Sequence, residues 1–146
     1  MPDQISATRD MSPARRVLIV EDEMLVAMLL EDMLTDLGHI VVGIATRVES
    51  ALSLIASTGP DLAILDVNLA GEKSFPVAEV LEKKGIPFVF ATGYGQQGLE
   101  GNYVSRIVLT KPFHARDLER ALKVAIEPLS IMQAPLISRL GEEGRS

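Results

Sequence analysis

Three acids in a row, a lone aspartate, a threonine and a lysine stand at intervals along this 146-residue chain, each close behind a short apolar run. Glu21, Asp22 and Glu23 follow Val17-Leu18-Ile19-Val20. Asp66 follows Leu62-Ala63-Ile64-Leu65, Thr92 follows Phe88-Val89-Phe90-Ala91, and Lys111 comes shortly after Ile107-Val108-Leu109. Carboxylates brought to one place repel each other unless a cation joins them. An all-oxygen donor set favours Mg2+, which takes a few carboxylates and keeps water or phosphate as its other ligands. A carboxylate beside such an ion can attack a phosphoryl group and become an aspartyl phosphate. The transferring group spreads negative charge over its oxygens, and an ammonium and a hydroxyl are the donors that stabilise it.

These residues need a frame that brings them together. The apolar runs before them are short and rich in β-branched residues, as expected of strands buried on both faces. A further run of this kind covers residues 39–45, so five strands are predicted, the fourth over residues 86–91. Helices are predicted between them. Residues 24–37 place Leu25, Met28, Leu29, Met33 and Leu37 at helical spacing, with Gly38 as the stop. Thr46 and Glu49 match a capping box opening a helix that runs to about residue 57, with Val48, Leu52 and Ile55 on one face. Residues 67–73 read as a loop, residues 74–84 as a helix with Pro76 in its first turn, and residues 115–127 as a last helix bearing Leu118, Leu122 and Ile126. The glycine-rich stretch over residues 92–98 has no helical pattern, and residues 99–105 hold at most a short helix. Strands alternating with helices imply an α/β fold, a doubly wound five-stranded parallel sheet with helices on both faces. In such sheets the site lies at the carboxyl ends of the strands, where the acids, the threonine and the lysine fall.

Composition narrows the function. The net charge is −6, which disfavours a broad phosphate-binding face, and tryptophan is absent, so nucleic acid is not expected as a partner. Without cysteine there is no disulfide, zinc-thiolate site or thiol nucleophile. No apolar run approaches the roughly 18 residues of a membrane span. No secretory h-region stands near the N-terminus, so a cytoplasmic location is expected. Residues 1–14 read as a flexible leader, 15–127 as the domain and 128–146 as a C-terminal tail. That tail carries Leu129, Ile131, Met132, Leu136, Ile137 and Leu140, either as a surface segment or as a contact for a partner or second copy.

Taken in order, Val17-Leu18-Ile19-Val20-Glu21-Asp22-Glu23, Ala63-Ile64-Leu65-Asp66-Val67-Asn68-Leu69, Phe90-Ala91-Thr92-Gly93 and Lys111-Pro112-Phe113 resemble a response regulator receiver domain of two-component signalling. The resemblance covers nearly the whole chain and implies the flavodoxin-like receiver fold. It implies that Asp66 is the phosphoacceptor and that Glu21 and Asp22 hold Mg2+ with Asp66. It makes the Asn68 backbone carbonyl a further metal ligand, Thr92 the switch hydroxyl and Lys111 the phosphoryl contact. A cis peptide is expected before Pro112. The implied donor is a histidine kinase or histidine phosphotransfer protein, and the output is contact with a downstream protein or phosphorelay. The protein is then a signalling protein rather than an enzyme. Pro87-Phe88-Val89-Phe90-Ala91-Thr92-Gly93-Tyr94 is similar to the signature of the FAT GUY single-domain response regulators of alphaproteobacteria.

Two departures stand out. Val108 occupies the position where many receivers carry a switch aromatic, so Tyr94 is expected to take part in the switch instead. No proline lies near Ala70, where most receivers have one. Two other function classes are open. A small phosphohydrolase of the haloacid dehalogenase type also works through an aspartyl phosphate, but it needs an acid two residues after the nucleophile, where Asn68 stands. A pseudo-receiver binding partners without phosphorylation is disfavoured by the intact acids, hydroxyl and lysine. His39 and His114 are expected away from the site, with His114 capping the last helix.

Overall fold

A computed structural model describes residues 14–93 and 107–126. Its five main strands are β1 (Arg16–Val20), β2 (Ile40–Ala45), β3 (Leu62–Asp66), β6 (Phe88–Thr92) and β7 (Val108–Thr110). They form one sheet in the order β2-β1-β3-β6-β7, and every pairing is parallel. Four helices connect or follow them: α1 (Met24–Asp36), α2 (Val48–Thr58), α3 (Phe75–Lys84) and α4 (Ala115–Ile126).

The period-two alternation of strands explains why the apolar runs are continuous. Val17 and Ile19 of β1 face one way, into a core with Leu62 and Ile64 of β3 and with helices α1 and α4. Leu18 and Val20 face the other way, into a core with Leu65, Phe88 and Phe90 and with helices α2 and α3. Phe90 anchors that second layer, edge-on to Phe75 at 6.0 Å and to Phe88 at 5.4 Å. Val108 packs half-buried against the same layer.

Of the five apolar residues at helical spacing over residues 24–37, Met33 and Leu37 pack half-buried against the core, whereas Leu25 is 83% exposed, Met28 53% and Leu29 51%; the buried residues of the helix are Ala27, Leu30 and Leu34. This helix is apolar almost all round at its start, so periodicity alone did not single out the buried stripe. The capping box is one residue later than predicted. Helix α2 begins at Val48, and the backbone N–H of Arg47 donates to the Ser50 hydroxyl at 3.3 Å. Glu49 then sits in the first turn, where its charge suits the helix dipole.

Residues 67–73 are not the plain loop expected from the sequence. Strands β4 (Asn68–Leu69) and β5 (Glu72–Lys73) form a two-residue hairpin through Ala70 and Gly71. Their φ angles are +52° and +93°, the signs of a type I′ turn, and the Gly71 N–H donates to the Asn68 side-chain oxygen at 3.0 Å. An alanine in the left-handed region costs roughly 1 kcal/mol. Ala70→Asn, which restores the preferred Asn-Gly pair, is expected to raise stability by about 0.5–1 kcal/mol, read as a higher urea midpoint. An unchanged midpoint would remove the strain argument.

At the end of the sheet away from the acids, the Arg16 guanidinium donates to the carbonyls of Thr58 and Gly59, both at 2.7 Å, and so caps the end of α2. Beside it the Arg15 N–H donates to Nδ1 of His39 at 3.0 Å, which requires a neutral ring. Burial and then the Arg15 charge hold the His39 pKa below its ordinary 6.5, against a smaller pull from Glu119. A histidine depressed in the folded state contributes stability above the unfolded pKa and loses it as pH falls below about 6.5. His39→Asn, which keeps an acceptor but does not titrate, is expected to flatten the fall in thermal midpoint between pH 7 and pH 5.5. Identical slopes in the two proteins would refute this.

Candidate functional site

The acids, the threonine and the lysine meet at the carboxyl edge of the sheet. Parallel register brings them there. Val20 pairs with Leu65, Asp66 with Ala91 and Thr92 with Thr110, so Glu21, Asp66, Thr92 and Lys111 lie at the tips of four neighbouring strands. The Lys111 N–H donates to the Thr92 carbonyl at 2.9 Å and extends the ladder past the last paired residue. The Lys111–Pro112 peptide is cis, as the resemblance implied.

Glu21 is 1% exposed, and one oxygen each of Glu21, Asp22 and Asp66 lie within 4.8 Å of one another. The Lys111 ammonium donates to Glu21 Oε1 at 2.7 Å and to Asp66 Oδ2 at 3.3 Å. The other Glu21 oxygen accepts the Glu23 N–H at 3.1 Å. The tight Lys111–Glu21 pair was not foreseen in the sequence. The available signal was the extra methylene of glutamate, which carries its carboxylate further across the pocket than aspartate does. Thr92 is 2% exposed at its strand tip.

Burial pushes the Glu21 carboxyl up to about 7, and the nearby Asp66 charge adds to this against the lowering hydrogen bonds from Lys111 and the Glu23 N–H. Burial alone would lower Lys111, but the Glu21 hydrogen bond and the Asp66 and Glu21 charges raise it above an ordinary lysine. The ammonium is therefore a fixed cation. Three carboxylates against one ammonium leave two negative charges uncompensated when all are ionised, the charge of one divalent ion. The donors are all hard oxygens. This set fits Mg2+ by charge and by ligand chemistry.

Asn68 stands beside the pocket, with its side chain committed to the Gly71 N–H. That amide shapes the turn, which leaves it poorly suited to the general acid of the phosphohydrolase alternative. His39 lies at the far end of the sheet. His114 stands at the start of α4 as expected, but the capping side chain is Asp117, whose carboxylate accepts the His114 N–H at 2.9 Å. Tyr94, the leader, the tail and any helix over residues 99–105 fall outside the described residues. Among the described residues, no helix is long and apolar enough to cross a membrane.

A doubly wound parallel sheet with an acidic cluster, a buried threonine and a lysine at its strand tips defines a receiver module. The chain belongs to the response regulator receiver domain family of two-component signalling, whose family model matches residues 17–123. It is 39% identical over 112 residues to the sensory transduction protein LytT of Bacillus subtilis, covering 74% of this chain and 46% of that protein. Among solved structures it is similar to SdrG from Sphingomonas melonis Fr1, at 49% identity and a TM-score of 0.70 over 77% of this chain and 96% of SdrG. It is also similar to a structure described as the BeF3-activated conformation of SdrG, at 48% identity and a TM-score of 0.65 over 73% of this chain and 92% of that one. The chain spans about half the length of the curated relatives it matches. Members of this family are signalling proteins.

Proposed function

We propose that the chain is a stand-alone phospho-receiver of the cytoplasm, loaded on Asp66 by a histidine kinase or histidine phosphotransfer protein. The observation that carries this reading is the Lys111 ammonium bridging Glu21 and Asp66 beside Asp22 at the strand tips. Glu21, Asp22, Asp66 and the Asn68 backbone carbonyl would hold Mg2+. When bound, the ion supplies charge neutralisation of the carboxylates and of the incoming phosphoryl oxygens. An Asp66 oxygen attacks phosphorus in line; the O–P bond forms as the N–P bond of the donor phosphohistidine breaks, and the imidazole leaves with the bonding pair. Lys111 then exchanges carboxylate contacts for a phosphoryl oxygen, and the Thr92 hydroxyl turns to another. This local change in charge biases a two-state element next to Thr92, with Tyr94 taking the part that Val108 does not fill. The output is contact with a downstream protein or phosphorelay. The description of a BeF3-activated conformation for SdrG supports the same reading.

Incubation with an autophosphorylated histidine kinase, its label on histidine, tests the proposal. Transfer should occur with Mg2+ and fall to background with excess EDTA, and the transferred label should be released by hydroxylamine, as an acyl phosphate is. Labelling that ignores EDTA or resists hydroxylamine would overturn the assignment.

A further inference from the structure

Residues 67–75 hold no proline to restrict the backbone after Asp66, yet hydrogen bonds lock the segment. Leu69 and Glu72 flank the two-residue turn, and Ser74 donates its N–H to the Val67 carbonyl at 2.9 Å. Hydrogen-bonded and non-hydrogen-bonded pairs alternate along an antiparallel ladder. The pair between these two, Asn68 and Lys73, is therefore non-hydrogen-bonded, and its backbone N–H and C=O groups point away from the hairpin. The Asn68 carbonyl is left outside the ladder, two residues past Asp66.

We propose that this hairpin is a positioning device for the metal site, in which the Asn68 side-chain bond to Gly71 and the left-handed Gly71 backbone hold the Asn68 carbonyl in place for an ion beside Asp66. The inference rests on the phospho-receiver reading, which makes that carbonyl a Mg2+ ligand.

The hairpin is anchored on both sides. Val67 and Leu69 are buried in the layer that holds Phe90, whereas Asn68 between them faces outward. Ser74 is fully buried, and its carbonyl accepts the N–H groups of Val77 and Ala78, so the end of the hairpin is also the start of α3. The turn then sets how the two short strands meet. Its shape depends on Gly71, whose φ is +93°. A Cβ at that position would meet nothing within 4 Å, so what disfavours a side chain there is backbone strain and not packing. The Asn68 amide oxygen takes the Gly71 N–H at 3.0 Å, a donor that the turn leaves without a ladder partner. Mg2+ demands near-octahedral geometry, with ligands at about 2.0–2.1 Å, and so discriminates against a misplaced carbonyl.

Calorimetric titration of the EDTA-stripped full-length protein with MgCl2 tests the device, beside melting curves showing that each variant is folded. Gly71→Val is expected to weaken Mg2+ binding by about 10-fold or more, the usual scale for a lost positioning partner of a metal ligand. A β-branched residue resists positive φ, whereas asparagine tolerates it. Gly71→Asn is therefore expected to recover most of the affinity. Asn68→Ala keeps the backbone carbonyl and removes only the side-chain bond, for an expected loss of about 2–10-fold. Equal Mg2+ affinity in the wild type, Gly71→Val and Asn68→Ala would overturn the inference and leave the phospho-receiver reading standing. Equal weakening by Gly71→Val and Gly71→Asn would also overturn it, since bulk and not backbone conformation would then matter. A wild-type chain that binds no Mg2+ would overturn both.

Discussion

Asp66→Asn is expected to reduce phosphoryl uptake from a cognate kinase to background, a loss on the order of 10³-fold or more. The amide has the shape of the carboxylate but is no nucleophile at neutral pH. The substitution should leave the fold intact. Lys111 keeps its closer partner, Glu21 at 2.7 Å, and loses only the contact at 3.3 Å. One of three crowded carboxylates also disappears, so repulsion in the pocket falls and the thermal midpoint should hold or rise. Label transfer measured beside a melting curve separates loss of chemistry from loss of structure. A folded Asp66→Asn protein that still takes up label would place the acceptor elsewhere and end the phospho-receiver reading for this pocket.

Lys111→Met is expected to slow phosphoryl transfer by about 10²–10³-fold, the usual cost of losing one preorganised donor to developing charge. Methionine keeps much of the volume and length of the side chain but removes the cation. Unlike the Asp66 change, this one should also lower stability, by about 1–3 kcal/mol, because Glu21 is buried and loses the donor on Oε1. A single-turnover rate with a small phosphodonor, together with a urea midpoint, reads both effects. An unchanged rate would mean that Lys111 is a structural counter-ion of Glu21 and takes no part in transfer. An unchanged midpoint would mean that Glu21 needs no partner.

The two variants probe different parts of one electrostatic arrangement. Asp66 is the group that changes covalently. Lys111 is the cation that exchanges partners when it does. Glu21 holds that cation in the resting state through the shorter of the two contacts. Its length, one methylene beyond aspartate, lets it cross from the tip of β1 to a lysine at the tip of β7.

The alternation of apolar runs with helical patterns was enough to place the five parallel strands and the four helices of the described residues, because strands covered on both faces must be apolar at every position. The same reasoning put Glu21, Asp22, Asp66, Thr92 and Lys111 at the strand tips, since polar residues directly after buried strands have one edge of the sheet to occupy. Other features were set by packing. The turn at Ala70 and Gly71 closed a hairpin that no hydrophobic period announces. Helix α1, apolar on nearly every side at its start, turned Ala27, Leu30 and Leu34 inward and left Met24, Leu25, Met28 and Leu29 outside. The Lys111–Glu21 pair spans 90 residues of sequence, and only the register of strands between β1 and β7 set its distance. Sequence pattern reports what each element is made of. Which face of an apolar helix turns inward, and which of two acids a lysine grips, follow from rotations and separations of about an ångström that arise only when the layers close on each other.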